Sequence, residues 1–524
     1  MLTVKQLIAE ALKEAACGLK AEVAVEVSWP ANSQFGDYSS NLAMPLAKSL
    51  KRDPMEVAEE LAGKLNAKES LKGLIEKIEA VKPGFINFHL SSEYLSRKAS
   101  EILHLKGEYG RLDFGNGKSV QIEFISANPT GPLTVGNGRG GFYGDVLANI
   151  LTACGFKVAR EYLVNDAGNQ IEALGHSVLK DDQAVYQGEY IDQLHERLKQ
   201  ETPAYLAGEK AAKIILNEMI KKTVEEKMKI KFDVWFSETK ELRKTKEVDK
   251  ILDWLKKEKL VYEKDGAWWF KSSEYGDNRD RVLVKSDGEF TYLAQDFAYL
   301  KNKFGQRKFD RVINIWGADH HGDVQALLNA AQVLGYPGQQ EIILMQFVKL
   351  FQNGQEVRMS KRKGTYVTMD ELIEAVGAET ARFSLLMYSS NTHIDFDIDK
   401  AKEKSDKNPV YYVQYAYARI CGILKQAETA KTGQLALLEK SELELARELV
   451  KWPEIISDIS LDYQVQKLTA YAINLADKFH QFYTNCRVID QGQINASRVG
   501  LVKLSQKILR EVLDMIGVSS PEKM

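Results

Sequence analysis

Apolar residues recur at helical spacing over residues 4–18 and again over 55–66, where Asp53 stands at an N-cap position and Pro54 at the first helical one. The segment "GFINFHL" (84–90) alternates apolar and polar positions and predicts a strand. From residue 119 the pattern changes. "SVQIEFIS" reads as a buried strand, a glycine-rich loop follows, a helix is expected from about 141 to 153, and "FKVAREYLV" (156–164) is the next strand. Together these form one βαβ unit, right-handed, with its ligand edge at the carboxyl ends of the strands. Residues 176 to about 260 are charged and helix-prone. Strand signals return in "RVLVKSDGEFTYLA" (281–294), with a turn at Ser286-Asp287-Gly288, and in "RVINIWGA" (311–318). After about residue 400 only helical periodicity remains, in four or five segments. The expected fold class is therefore α/β multidomain. It comprises an N-terminal α+β domain (1–108), a Rossmann-type parallel-sheet domain (109–400) with a mainly helical insertion at about 176–280, and a C-terminal all-α helical bundle (401–524).

Composition narrows the class. With 44% apolar and 27% charged residues and a net charge of −2 over 524 residues, there is no bulk basic bias, so any nucleic-acid binding must come from local patches. The cysteines Cys17, Cys154, Cys421 and Cys486 are scattered without a C-x-x-C pair, which excludes a zinc ribbon or a disulfide framework. The opening "MLTVKQLIAEALKEAA" carries Glu10 and Glu14 within its apolar pattern and reads as an amphipathic helix, not a signal peptide. No apolar run approaches the ~20 residues a membrane span requires. A cytoplasmic protein with no membrane partner is expected.

Two stretches suit phosphates. "GPLTVGNGRGG" (131–141) contains a G-x-G-x-x-G string at Gly136, Gly138 and Gly141, with Glu161 twenty positions further on, as in a dinucleotide site. In that fold the first glycine sits at the strand's end, whereas here the nine residues "ANPTGPLTV" separate Ser126 from Gly136. The spacing disfavours NAD and leaves a general phosphate site or close packing as readings. The second stretch, "VRMSKRKGTYV" (357–367), sets Arg358, Lys361, Arg362 and Lys363 beside Ser360 and Gly364, either a grip for a polyphosphate or a solvated basic turn.

These residues resemble a family. "ANPTGPLTVGNGRG" is similar to the HIGH motif of class I aminoacyl-tRNA synthetases as arginyl-tRNA synthetases write it, and "RMSKRKG" to their KMSK loop. "FGDYSSNLA" (35–43) and "GFINF" (84–88) resemble the family's N-terminal extension. "EYLVNDAGNQI" (161–171), "FTYLAQDFAY" (290–299) and "WGADHHG" (316–322) resemble its catalytic core. "NPVYYVQYAYARI" (408–420) resembles the start of its anticodon domain, and "VSSPEKM" its usual ending. The resemblance spans the chain in order. Two departures stand out: both HIGH histidines are absent, Thr134 and Asn137 taking their places, and KMSK begins with Arg358.

The resemblance implies an arginine–tRNA ligase. Arginine and ATP would give arginyl-adenylate, in a step expected to need bound tRNA, and the arginyl group would pass to the 3′-terminal adenosine of tRNA-Arg. No protein nucleophile is required, so catalysis is positioning and charge stabilisation. Thr134, Asn137, Lys361 and Arg358 are the implied catalytic residues. Asn128, Gly136, Gly138, Ser360, Lys363, Asp319 and His320 would face ATP, whose Mg²⁺ arrives with it; no tightly bound metal or organic cofactor is expected. Asn165, Asp166 and Gln170 would take the amino and carboxylate groups of arginine. Tyr292 and Asp296, four apart and on one helical face, would take the guanidinium. Phe85 and Asn87 would read a D-loop base, and Tyr411 and Tyr415, among the tyrosines that also include Tyr412 and Tyr417, would meet the anticodon. A monomer is expected. Three rivals stay open: a cysteinyl-tRNA synthetase, which needs clustered cysteines; a nucleotide oxidoreductase using Glu161; and a non-catalytic tRNA-binding paralogue.

Overall fold

In the computed structural model, which describes residues 3–17, 23–30, 32–357, 367–403, 405, 407–428 and 433–524, helix α1 (Val4–Ala16) begins at a capping box between Thr3 and Gln6. Strand β1 (Tyr38–Ser40) is followed by helices α2 (Ala43–Leu50) and α3 (Pro54–Asn66). Asp53 caps α3 by accepting from Met55 N at 2.8 Å. β2 (Ile75–Val81) and β3 (Phe85–Leu90) complete an antiparallel sheet of order β1-β3-β2, and α4 (Ser92–His104) closes the domain. β2 carries Glu76, Lys77 and Glu79 on an exposed edge, which hid its strand character in the sequence.

The central domain opens with β4 (Ser119–Glu123), α5 (Val135–Ala153) and β5 (Lys157–Val164). Helices α6 (Asn169–Leu179), α7 (Glu189–Leu198) and α8 (Ala204–Ile214) form the insertion's helical part. α6 and α8 cross with Gly175 and Gly208 at the junction, where a Cβ on Gly175 would overlap the Ala204 carbonyl and one on Gly208 the Ile171 carbonyl. The insertion is less helical than its charge pattern predicts. β6 (Val234–Ser237) joins the parallel sheet as an edge strand beside β5. After α9 (Glu247–Lys257), β7 (Val261–Lys264), β8 (Ala267–Phe270) and β9 (Arg281–Val284) make a separate antiparallel sheet. These strands have only four residues each, too few to show a period among charged neighbours. The turn at 286–288 is present, but its second arm is a single bridge, Val284 to Phe290, before α10 (Tyr292–Leu300) begins.

β10 (Arg311–Gly317), α11 (Val324–Val333) and β11 (Gln340–Met345) complete the parallel sheet, of order β11-β10-β4-β5-β6. The chain winds outward in both directions from the β4/β10 boundary, and such a switch point opens a crevice at the strands' carboxyl ends. β12 (Val348–Gln352), β13 (Gln355–Val357), α12 (Met369–Val376), α13 (Ala378–Leu386), β14 (Ile394–Asp397) and α14 (Ile398–Ala401) follow, with a small sheet of order β13-β12-β14.

Among the described residues the last domain holds α15 (Pro409–Gln426), α16 (Lys440–Val450), α17 (Trp452–Asp462), α18 (Gln466–Asn485) and α19 (Ala496–Ile516), with a short β15 (Ile489–Asp490)–β16 (Gln493–Ile494) hairpin. Buried Trp452 stacks on Tyr471 at 5.4 Å in its core. The N-terminal domain docks on this bundle through polar groups: Glu454 accepts from Tyr38 Oη (3.0 Å) and Lys5 N (2.8 Å), and Arg447 pairs with Asp37 at 3.0 Å. The far end of α19 docks on the central domain. Arg382 Nη1 donates to Ile516 O (2.9 Å) and Asn149 Nδ2 to Met515 O (3.1 Å), while Arg382 Nη2 also reaches Asp145 at 2.8 Å.

Candidate active site

Charge is set into the sheet next to the crevice. Glu123 and Glu161 are neighbours in the β4/β5 register and both are buried. Glu161 is held by Tyr299 Oη and by both Nη atoms of Arg307, so it cannot serve a ribose, and the dinucleotide reading fails on that point. Glu123 takes the buried Lys303 ammonium at 2.6 Å. After β4 the backbone turns through left-handed Ile125 (φ 65°) and Ser126 (φ 39°), conformations costly for a β-branched residue and of the kind that gathers at functional sites. Ser126 Oγ accepts from Leu163 N at 3.1 Å and so fixes the turn against β5.

The glycine string is helix, not loop. α5 starts at Val135, and Gly136, Gly138, Gly140, Gly141 and Gly144 all lie in it. Thr134 is its N-cap. Its Oγ1 accepts from Asn137 N (3.3 Å) and donates to Asn137 Oδ1 (2.8 Å), which also accepts from Thr134 N (3.1 Å). The pair standing in for the two histidines is thus a reciprocal capping box. The threonine hydroxyl proton is spent inside it, and Asn137 Nδ2 is the donor left over. Gly138 is a packing glycine: a Cβ there would overlap Met369 Sδ, and those of Gly141 and Gly144 would press on Ile125 and Phe124. Gly136 differs, being exposed, with only Thr134 Oγ1 near its missing Cβ, at 3.7 Å. The first amides of α5 have no intrahelical acceptor, the general condition under which a helix start attracts anions.

Tyr292 opens α10 and Asp296 lies one turn on, so the two share one face of that helix. Tyr292 is 64% exposed. Asp296 is half-buried and makes no hydrogen bond or ion pair among the described residues. Desolvation, then the neighbouring Glu123 carboxylate, push its pKa up to about 7, with Lys303 opposing and Asp323 and Glu238 adding to the rise. Four carboxylates therefore converge. Lys303 occupies Glu123 and Arg243 occupies Glu238 at 2.5 Å, while Asp323 is exposed to solvent, so Asp296 is the more enclosed carboxylate of the group that has no cation among the described residues.

The other expected residues divide. Asn165 Nδ2 donates to Asn128 Oδ1 at 2.9 Å, bringing the ends of β4 and β5 together. Asp166 is committed: its carboxylate accepts from Ser237 Oγ (2.6 Å) and Thr239 N (2.9 Å), which anchors the end of β6. Gln170 reaches Tyr292 and lowers its pKa by hydrogen bonding, against the larger upward push of burial. Asp319 and His320 sit in a 3₁₀ turn directly after β10, exposed and 3.8 Å apart. Arg358, Ser360, Lys361 and Lys363 lie outside the described residues. Sequence reasoning missed Glu123, Lys303 and Glu238; a glutamate within the apolar run "SVQIEF" was the available signal.

For RNA, Phe85 is 38% exposed at the β2–β3 hairpin. Asn87 is buried in the sheet, and its Oδ1 accepts from Ser39 Oγ at 2.7 Å. Asn87 lies on the Phe85 face of β3, opposite the core-facing Ile86 and Phe88. Tyr417 is likewise buried. Tyr415 is exposed, and the Arg419 guanidinium lies over its ring (4.8 Å) and that of Tyr483 (5.0 Å), with His480 beside it. Tyr411 is half-buried on the same helix.

A doubly wound parallel sheet followed by a helical bundle is the architecture of a class I aminoacyl-tRNA synthetase, and the family comparisons place the chain in that class. Residues 2–90 match the arginyl-tRNA synthetase N-terminal domain, 189–403 the class I (R) tRNA synthetase catalytic domain and 413–524 the DALR anticodon-binding domain. The arginine–tRNA ligase of Carboxydothermus hydrogenoformans is 43% identical over 534 residues, covering 96% of this chain and 95% of that protein. That of Bacillus subtilis is 39% identical, covering 99% of each. The chain belongs to the arginyl-tRNA synthetase family. Its fold matches that of the Thermus thermophilus arginyl-tRNA synthetase with a TM-score of 0.78 over the whole of both chains, at 24% identity.

Proposed function

We propose that the crevice activates arginine with ATP and charges the 3′-terminal adenosine of tRNA-Arg, with activation requiring bound tRNA. The observation that carries this reading is Asp296, a carboxylate with no partner among the described residues, set among the acids Glu123, Glu238 and Asp323. A planar guanidinium satisfies such a carboxylate in bidentate fashion. ATP then lies across the sheet with its phosphates toward the start of α5 and Asn137 Nδ2, its Mg²⁺ entering as part of the substrate. Lys361, assisted by Arg358 and Lys363, holds the departing pyrophosphate. Phe85 offers a stacking surface to a D-loop base. The Tyr415–Arg419–Tyr483 cluster offers one to the anticodon. The protein works as a cytoplasmic monomer. The test is arginine-dependent charging of tRNA-Arg, with ATP–pyrophosphate exchange measured with and without tRNA. Charging of another amino acid, or exchange at full rate without tRNA, contradicts the corresponding part of the proposal.

Two expected outcomes follow from the charges. Lys361→Ala should slow adenylate formation by about 10²–10³-fold, the usual effect of deleting one donor to developing charge, with tRNA affinity nearly unchanged. A lost tRNA affinity in filter binding would contradict the pyrophosphate role. Arginine binding should also depend on pH. Below about pH 7 the free carboxyl of Asp296 is protonated, so a guanidinium must displace a proton. The Michaelis constant for arginine should rise as pH falls from about 8 to about 6, approaching tenfold per unit, while that for ATP stays flat. An arginine constant indifferent to pH over that range would exclude Asp296 as the guanidinium's partner.

A further inference from the structure

Arg139 lies two residues beyond Asn137 on α5 and is 1% exposed. Its Nη1 donates to Gln346 O at 2.5 Å and its Nη2 to Ser389 O at 2.7 Å. These carbonyls stand just ahead of β12 and β14, strands paired in parallel from Val348 and Ile394. Gln346 N in turn donates to Ser390 O at 2.9 Å. One guanidinium thus clamps the roots of both strands to the helix that starts at Thr134. β12 turns into β13, which ends at Val357, where the basic stretch begins. On the far side of that stretch Thr368 bridges to Thr134, Met369 N donates to Leu133 O at 2.8 Å, and Met369 fills the space beside Gly138. Both flanks of the basic stretch are therefore fastened to the first turns of α5: one through backbone, the other through Arg139.

Packing alone does not account for an arginine here. Among the described residues no carboxylate pairs with it and its Nε has no partner, and burial draws its pKa down to about 10. A buried cation balanced only by carbonyl dipoles is often less stable than an apolar side chain of its size. What arginine adds is a rigid fork that reaches two carbonyls on the segments leading into separate strands, which an ammonium cannot imitate.

We propose that Arg139 is a positioning residue for adenylate formation, keeping the phosphate-facing start of α5 in register with β12, the strand that runs through β13 toward the basic stretch. The inference rests on reading that stretch as the pyrophosphate holder. Adenylate formation needs both elements on one polyphosphate at once, and a misplacement of about 1 Å can cost about 10²-fold. Arginyl transfer takes place after pyrophosphate has left and does not need that register.

Arg139→Lys keeps the charge and loses the fork. It should slow tRNA-supported ATP–pyrophosphate exchange about 10²-fold per active site while transfer from synthetic arginyl-adenylate to tRNA-Arg stays within about twofold. Arg139→Gln, which retains amide donors, should show the same selectivity. Active sites are counted by tRNA-binding stoichiometry, so that partial loss of folded enzyme does not enter the ratio. Parallel loss of both steps, or unchanged exchange, overturns the proposal. Failure of the underlying reading is visible separately, as normal exchange by Lys361→Ala.

Discussion

Asp296→Asn should lower kcat/KM for arginine by about 10³-fold and leave the Michaelis constant for ATP within about twofold. The substitution preserves shape and removes only charge. The other buried acids of the cleft cannot substitute, because Glu123 already holds Lys303 and Glu238 already holds Arg243. Truncating one member of a hydrogen-bonded charge pair costs ~2–5 kcal/mol, and ~1.4 kcal/mol is a factor of ten, which places the effect near 10³. Steady-state pyrophosphate exchange in the presence of tRNA, titrating each substrate separately, reads it out. A loss shared equally between arginine and ATP would move Asp296 out of the guanidinium site. Stability supplies the control. A carboxyl whose folded pKa lies near 7, above its ordinary value, binds more protons folded than unfolded between about pH 4 and 7. Its contribution to stability therefore falls as pH rises through that window, and at pH 8 the neutral variant should melt no lower than the parent.

Gly175→Ala should destabilise the protein by about 3 kcal/mol or more, lowering its melting midpoint measurably in differential scanning calorimetry. At this crossing the new methyl would meet the carbonyl of Ala204, which is backbone and cannot rotate away. Relief requires α6 and α8 to separate, opening the interface lined by buried Ile171, Leu174, Ala207 and Ala211. Gly422→Ala, with nothing near its missing Cβ, is the matched comparison and should be neutral or slightly stabilising. Equal midpoints for the two variants would show that the close approach is not maintained in solution.

How far the sequence revealed this architecture depended on segment length and on where charges fall. Long amphipathic segments such as α1, α3 and α19 carry several turns of period and were readable directly. β6 to β9 were not, since four residues amid charged neighbours give no period and their strand character comes from the sheets they join. The glycine string misled for a related reason. Glycine is a poor helix former, yet a capping box at Thr134 and the close packing of Met369, Ile125 and Phe124 hold it helical. At the site, Tyr292 and Asp296 could be paired from spacing alone, because they share one helix. Asp166 and Asn87 looked like free polar groups and are instead bound to Ser237, Thr239 and Ser39, partners 71, 73 and 48 residues away, a separation no local pattern encodes. Lys303 escaped notice because a lysine on a charged, helical stretch normally faces water, and only the fold turns it inward to Glu123.

The seating of α19 bears on engineering. Its last carbonyls are capped by Arg382 and Asn149, side chains of the central domain, and Gly517 leaves the helix in a left-handed conformation with its missing Cβ against Arg382. The helical bundle is therefore not a detachable module. A chimera that imports a bundle from another synthetase inherits an uncapped helix end and an unpaired Arg382 unless the recipient's own final turn and Gly517 are kept. Grafts should accordingly be cut inside α19, upstream of Met515, and not at the boundary before α15.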